Sequence, residues 1–398
     1  MDRTPNLPAG IIRTDTWEMI ERLIAFDTTS RESNLGLIEW VRDWLKQQGI
    51  DTRLTYDVTG KKANLFATIE PQGAGATRAG IVLSGHTDVV PVDGQAWDTD
   101  PFKAIIKDDR IYARGSADMK SYLAVALTMT PRFLAAKMKA PVHFALSYDE
   151  EVGCIGVRGL IEDLARNNIK PAGCIVGEPT SMEVVIAHKG KRAFRCCVTG
   201  REAHSALTPK GVNAIEYAAR LIVYVRHMAD RMRDTETRDY GFDVPFTTMQ
   251  TGTIRGGTAT NIVPRECIFD FEYRYLPGAD PDALEREIRD YAARLALEMQ
   301  GVDPQTRMDI AVQSDAPGLN MEETDQLTYL TKALNRGSSI SKVAYATEAG
   351  LFQAAGIPSI ICGPGSIGEA HRPNEFIALE QVAQCEAFMD RLVVELEK

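Results

Sequence analysis

Apolar and polar positions change rhythm twice along the chain, and the changes mark its parts. Near the start, Trp17, Ile20, Leu23 and Ile24 recur at helical spacing behind Thr14-Asp15-Thr16, a helix with a polar start. A second helical pattern spans residues 35–48 and stops at Gly49. Short apolar runs follow at 64–69, 81–85, 142–147, 174–177 and 359–362. They alternate with helical stretches at 120–136 and 156–167. Alternation of this kind predicts an α/β fold, a sheet with helices on both faces.

The middle third differs. Residues 192–199 alternate as a strand, 212–233 form a long amphipathic helix, and 247–254 and 266–274 read as two strands joined through Gly256-Gly257. A second helix covers 280–299 and a last strand 308–313. The order β-α-β-β-α-β predicts a ferredoxin-like α+β domain. We place it at 190–314, inserted between two parts of the first domain at 1–189 and 315–398. The last part ends in a helix at 379–397.

Composition narrows the class. At 398 residues, two domains are expected, and 44% hydrophobic with 25% charged residues is a globular balance. A net charge of −10 without a basic cluster argues against nucleic-acid binding. No apolar stretch has the length or lack of charge to span a membrane, and residues 1–8 lack a signal-peptide core. Seven cysteines without a C-x-x-C pair point to reduced thiols and the cytoplasm.

Candidate chemistry sits where apolar runs end. His86-Thr87-Asp88, Glu150-Glu151 and Glu178 each lie just past a predicted strand, Asp118 precedes a helix, and His371 lies in a turn-rich loop. Ligands collect at the carboxyl ends of strands in such sheets. Mixed histidine and carboxylate suits zinc, cobalt or manganese, and five ligands serve two ions only if one carboxylate bridges. Asp88, two residues after His86, is placed to brace the second ring nitrogen. Adjacent carboxylates at 150 and 151 repel unless a cation or proton intervenes. A division into one metal ligand and one general base resolves this. Taken singly, each has a plainer reading: a helix cap for Asp118, an acidic turn for Glu150-Glu151, a loop acid for Glu178. His204, on the inserted domain, is a candidate oxyanion donor.

These motifs resemble the di-zinc aminoacylase/carboxypeptidase family over nearly the whole chain. The matching segments are Ser84-Gly85-His86-Thr87-Asp88, Gly115-Ser116-Ala117-Asp118-Met119-Lys120, Asp149-Glu150-Glu151-Val152-Gly153, Gly177-Glu178-Pro179, Gly200-Arg201-Glu202-Ala203-His204-Ser205 and Thr260-Asn261-Ile262-Val263-Pro264. The resemblance implies a zinc-aminopeptidase-like catalytic domain, with the inserted domain serving as lid and dimerisation unit. It implies two divalent ions, Zn or Co: His86 and Glu178 on one, Glu151 and His371 on the other, Asp118 bridging. Asp88 then orients His86, Glu150 is the general base, and His204 stabilises the oxyanion, in some relatives across a homodimer. It also implies a cis peptide after Asp118, and substrate contacts from Asn261 and Arg274.

Within the family, residues 256–264, 345–352 and 362–376 are most similar to the acetylornithine deacetylases. The implied reaction converts N2-acetyl-L-ornithine to L-ornithine and acetate in arginine biosynthesis, with Glu348 a receptor for the substrate ammonium or simply a helix-start acid. A succinyl-diaminopimelate desuccinylase, a broader N-acyl-amino-acid amidohydrolase or a dipeptidase would share the metal chemistry. A non-catalytic metal or amino-acid binding protein is the reading from another class.

Overall fold

The computed structural model describes residues 10–72, 79–337 and 339–398. The first eight residues and a loop expected at 73–77 lie outside these. The chain divides into two compact units. One comprises Met1–Ala187, Leu319–Lys342 and Thr347–Lys398; the other comprises His188–Gly318 and Val343–Ala346.

The first unit is built on a mixed sheet. Three adjacent strands, Val142–Ser147, Ile81–His86 and Gly173–Val176, run parallel, and Ser359–Ile361 continues the parallel set beyond Gly173–Val176. Ala63–Ile69 joins the far side antiparallel, followed by Thr52–Tyr56. The His86 strand and its Val142–Ser147 neighbour are buried at all six positions. Such strands carry unbroken apolar runs, because both faces are covered.

The helices at Thr14–Ile24, Leu35–Gln47, Val157–Arg166 and Leu379–Leu396 bury one apolar stripe each. Ser121–Thr128 is buried all round. The single helix expected over 120–136 is instead two, Ser121–Thr128 and Thr130–Ala135. Pro131 explains the break: it has no N–H to continue the first helix and suits the first turn of a new one. A three-stranded sheet of Ile105–Lys107, Arg110–Tyr112 and Phe376–Ala378 was not legible, its strands being only three residues long.

The second unit holds strands Gly190–Thr199, Thr248–Gly256, Glu266–Tyr275 and Arg307–Ala316, with helices Ala214–Thr235 and Pro281–Gln300. Spatial order places Glu266–Tyr275 between Thr248–Gly256 and Gly190–Thr199, with Arg307–Ala316 outside. All three pairings are antiparallel, and this is the ferredoxin-like order. Phe194, Phe269, Phe271 and Tyr273 from the sheet pack with Leu221, Val225, Ile288 and Leu295 from the helices. Asn213 and Asp280 cap the two helices through their side chains, as N-cap preference anticipates. Cys196 is buried and Cys197 half-buried, on alternate faces of their strand; all seven cysteines are free. No helix among the described residues is long and apolar enough to cross a membrane.

Candidate metal centre

Three parallel strands deliver the first side chains. His86 is the last residue of Ile81–His86; Glu150 and Glu151 follow Val142–Ser147 after a turn at Asp149 (φ 55°); Glu178 follows Gly173–Val176. Gly177 precedes it because a Cβ there would lie 2.1 Å from the Tyr122 ring. Asp118 sits in the turn Ser116–Lys120, whose Asp118–Met119 peptide is cis, ahead of helix Ser121–Thr128. His371, with φ 65°, comes from the loop after Ser359–Ile361.

These side chains converge. The His86 Nε2 atom lies 2.9 Å from Asp118 Oδ1 and 3.8 Å from Glu178 Oε1. His371 Nε2 lies 3.4 Å from Asp118 Oδ2 and 3.0 Å from Glu151 Oε2. The two Asp118 oxygens thus face two different histidines, each with its own glutamate. Atoms of His86, Glu150 and Glu178 lie within 4.8 Å of one another, as do those of His86, Asp118 and Glu151.

The second nitrogen of His86 is held by Asp88, but not through the expected carboxylate. Nδ1 donates to the Asp88 backbone carbonyl at 2.9 Å, while the nearer carboxylate oxygen is 3.6 Å away. The strand ends at His86, so side-chain alternation does not carry on to residue 88. The Asp88 carboxylate instead accepts from the Ser30 hydroxyl (2.7 Å) and from the Glu150 and Glu151 amides (3.1 and 3.3 Å). It orients the acidic pair rather than the ring.

Electrostatics mark a place for cations. Burial opposes protonation of His86, yet Asp118, Glu178 and Asp88 outweigh it and hold its pKa well above the usual value. His371 is pushed up to about 10 by Asp118 and Glu151. Burial and then Asp118 raise both Glu151 and Glu178, Glu178 strongly. Glu150 is pushed up to about 8 by burial, with Glu151 and Glu348 adding to it against His86. Among the described residues no lysine or arginine pairs with Asp118, Glu151 or Glu178, and buried Glu178 Oε1 has no hydrogen-bond partner. Uncompensated buried carboxylates are unfavourable. Bound divalent metal would supply the missing charge, and a mixed histidine and carboxylate donor set is one that could hold it.

Other expected residues fall elsewhere. Glu348 is fully buried in the same unit, just before helix Ala349–Ala354, and makes no side-chain cap. Burial pushes it up to about 7 against the Ser147 hydroxyl, which opposes the shift. His204 and Asn261 share a loop cluster of the inserted unit: Ser205 N–H donates to the Asn261 carbonyl at 3.0 Å, and His204 pairs with Ile262. Arg274 does not join them. It pairs with Lys191 and Thr248, whereas the 200–205 and 257–265 loops lead off beyond Thr199, Glu266 and Gly256. The strand between Cys267 and Arg274 alone spans roughly 23 Å.

Two neighbours were not anticipated. The Cys154 thiol donates to Glu150 Oε1 at 3.3 Å. Its position four residues after Glu150 was a usable clue. Glu375 accepts hydrogen bonds from the Asp118 turn, more than 250 residues away in sequence, and no spacing rule reaches that far.

Comparison with known proteins agrees with this geometry. Residues 82–395 match the Peptidase family M20/M25/M40. An acetylornithine deacetylase of Myxococcus xanthus is 34% identical over 378 residues, covering 94% of this chain and 95% of that protein. One from Pasteurella multocida is 32% identical over 383 residues, covering 94% and 96%. Aminopeptidase PepT from Bacillus cereus superposes with a TM-score of 0.74 at 22% identity, covering 98% of this chain and 100% of that one. An M20 family metallo-carboxypeptidase from Sulfolobus solfataricus gives 0.75 at 18% identity, covering 97% and 100%. The last two show likeness of fold alone. With its acidic and histidine cluster at the strand ends, the chain belongs to the M20 peptidase family and is a metal-dependent amidohydrolase.

Proposed function

We propose that the chain hydrolyses the amide of an N-acyl amino acid, with N2-acetyl-L-ornithine as substrate and L-ornithine and acetate as products. One observation carries the metal part of this reading: the two Asp118 oxygens face separate His–Glu pairs. His86 and Glu178 would hold one divalent ion, Glu151 and His371 the other, and Asp118 would bridge. Bound there, the ions supply Lewis acidity and make water acidic enough to lose a proton near neutral pH.

The remaining chemistry belongs to side chains. Unlike Glu151 and Glu178, Glu150 forms no ion pair with either histidine among the described residues, and its affinity for a proton is high. Both features fit a base that takes a proton from the attacking water and returns it to the leaving amine. His204 accepts the Ala206 N–H at Nδ1 (3.1 Å), which leaves its proton on Nε2. That tautomer is a neutral donor for the oxygen that becomes negative in the tetrahedral intermediate.

The separation of Arg274 from His204 and Asn261 favours a homodimer. One inserted unit cannot offer both ends of its sheet to one small substrate. In this reading Arg274 would serve one site of the dimer and His204 with Asn261 the other. Seven unpaired thiols support a cytoplasmic location.

Substrate choice turns on Glu348. A fully buried carboxylate whose proton affinity burial raises is a fitting counter-charge for the ornithine ammonium and a poor neighbour for a second substrate carboxylate. The test is kcat/KM for acetylornithine, succinyl-diaminopimelate and acetylmethionine with zinc- and cobalt-loaded protein. Acetylornithine should lead, and Glu348→Gln should erase at least about tenfold of its margin over acetylmethionine. Preference for the succinyl substrate overturns the assignment, and a margin untouched by Glu348→Gln removes Glu348 from it.

A further inference from the structure

Two of the ligands need outside support. Asp118 lies in an irregular turn, and His371 is about half-exposed with a left-handed backbone. Both are nevertheless aimed at one point. Their loops are tied together by side chains to which the metal reading gives no role.

Glu375 is the centre of that tie, 1% exposed. One carboxylate oxygen accepts the Ala117 and Asp118 amides at 2.9 and 3.1 Å. The other accepts the Gly115 amide at 3.1 Å and Arg114 Nη1 at 2.6 Å. Its backbone carbonyl accepts Ala113 N–H at 3.1 Å. All four side-chain partners are donors, so both carboxylate oxygens act as acceptors. From Arg114 the tie continues: Nη2 donates to Gln95 Oε1 at 2.6 Å, and Gln95 Nε2 donates to the His371 carbonyl at 2.9 Å. Arg114 Nη1 also reaches the Arg372 carbonyl at 3.3 Å, and the guanidinium lies 5.1 Å from the Trp97 ring centroid.

We propose that Glu375, Arg114 and Gln95 form a positioning frame that fixes the Asp118 turn and the His371 loop relative to each other, and so sets the spacing of the two ions. The inference rests on the two-metal reading. Its physical content is that four charge-assisted or amide hydrogen bonds, buried away from water, hold the Asp118 amide and its neighbours in one conformation. Gln95 then transmits that frame to His371. His86 and Glu178 stand outside it, on strand ends. Losing the Gln95 link should therefore disturb only the ion held by His371. Losing Glu375 should disturb both ions, because Asp118 is shared.

The experiment is a Co²⁺ titration of chelator-stripped protein, read by calorimetry and visible absorption without substrate. Wild type should take up two equivalents. Gln95→Leu changes a partly exposed residue and should fold normally; one binding step should weaken by about 10–100-fold with the other unchanged. Glu375→Gln should weaken both. Glu386→Leu is the control for a purely structural effect. That buried carboxylate accepts the Arg13 amide in the same unit, so its loss should lower Tm and leave the isotherm alone. Should Glu375→Gln fail to fold, Gln95→Leu decides alone. Two wild-type steps that persist unchanged in the Gln95 variant overturn the frame, as does an equal change in the Glu386 control. Fewer than two equivalents in wild type overturns the two-metal reading instead, whatever the variants do.

Discussion

Glu150 and Glu151 are adjacent, half-buried and chemically identical, yet their surroundings separate them. Glu151 reaches His371 at 3.0 Å, whereas Glu150 receives the Cys154 thiol and is pushed up to about 8 by burial, with neighbouring carboxylates adding to it. Glu150→Gln keeps the size of the side chain and removes its basicity. We expect metal content to be retained and kcat to fall by about 10²–10⁴-fold, the range of a general base. Glu151→Gln should instead lower metal content. Atomic absorption on both variants, beside their turnover, checks the pair; a Glu150 variant with near-normal turnover reverses the roles.

Elements position these residues, and one shows how burial becomes a pH dependence. His143 lies on the fully buried strand Val142–Ser147, stacked on Phe66 at 5.2 Å, with Nδ1 2.9 Å from the Thr68 hydroxyl and Nε2 unpartnered. Burial pushes its pKa down to about 4. In the unfolded chain it titrates near 6.5. Between these values the unfolded state binds the extra proton, so stability falls as pH drops from about 6.5 to about 4, by at most roughly 1.4 kcal/mol per pH unit from this group. Urea unfolding of the metal-free protein at several pH values should show a shallower slope in His143→Gln than in wild type over that window. Equal slopes would assign the acid sensitivity to other groups. The same strand sets the register of the Glu150 turn, and the break at Pro131 lets helix Ser121–Thr128 stay wholly buried behind Asp118.

For the whole molecule, the sheet of the inserted unit is the informative scale. His204 and Asn261 lie beyond one end of it and Arg274 at the other, which is the arrangement expected if two chains complete each other's sites. Neither His204→Ala nor Glu150→Gln alone should be active. Mixed and allowed to exchange subunits, they should regain up to about a quarter of wild-type activity, since a random mixture gives half heterodimers with one intact site each. Lack of recovery despite exchange shown by differential labelling would place His204 in the site of its own chain.

Much of this was written in the chain. Apolar runs without alternation announced the buried parallel strands, because strands covered on both faces have no polar side to show. The β-α-β-β-α-β rhythm announced the inserted unit, and most of the candidate ligands stood out because they follow a strand or precede a helix, where backbone geometry collects ligands, while His371 was picked out by the family resemblance. Local rules carry the strands and helices, so sequence alone determined those. Tertiary structure decided what depends on distant partners. The His86 ring bonds to a carbonyl rather than to the Asp88 carboxylate, since the strand stops at His86, two residues short of Asp88, and alternation does not hold beyond it. Glu375 faces the Asp118 turn only when segments some 257 residues apart are folded together. Arg274 and Asn261 are thirteen positions apart in sequence but separated by the length of a strand, because an extended chain between them cannot turn back. Spacing names the residues that can act; packing decides which of them meet.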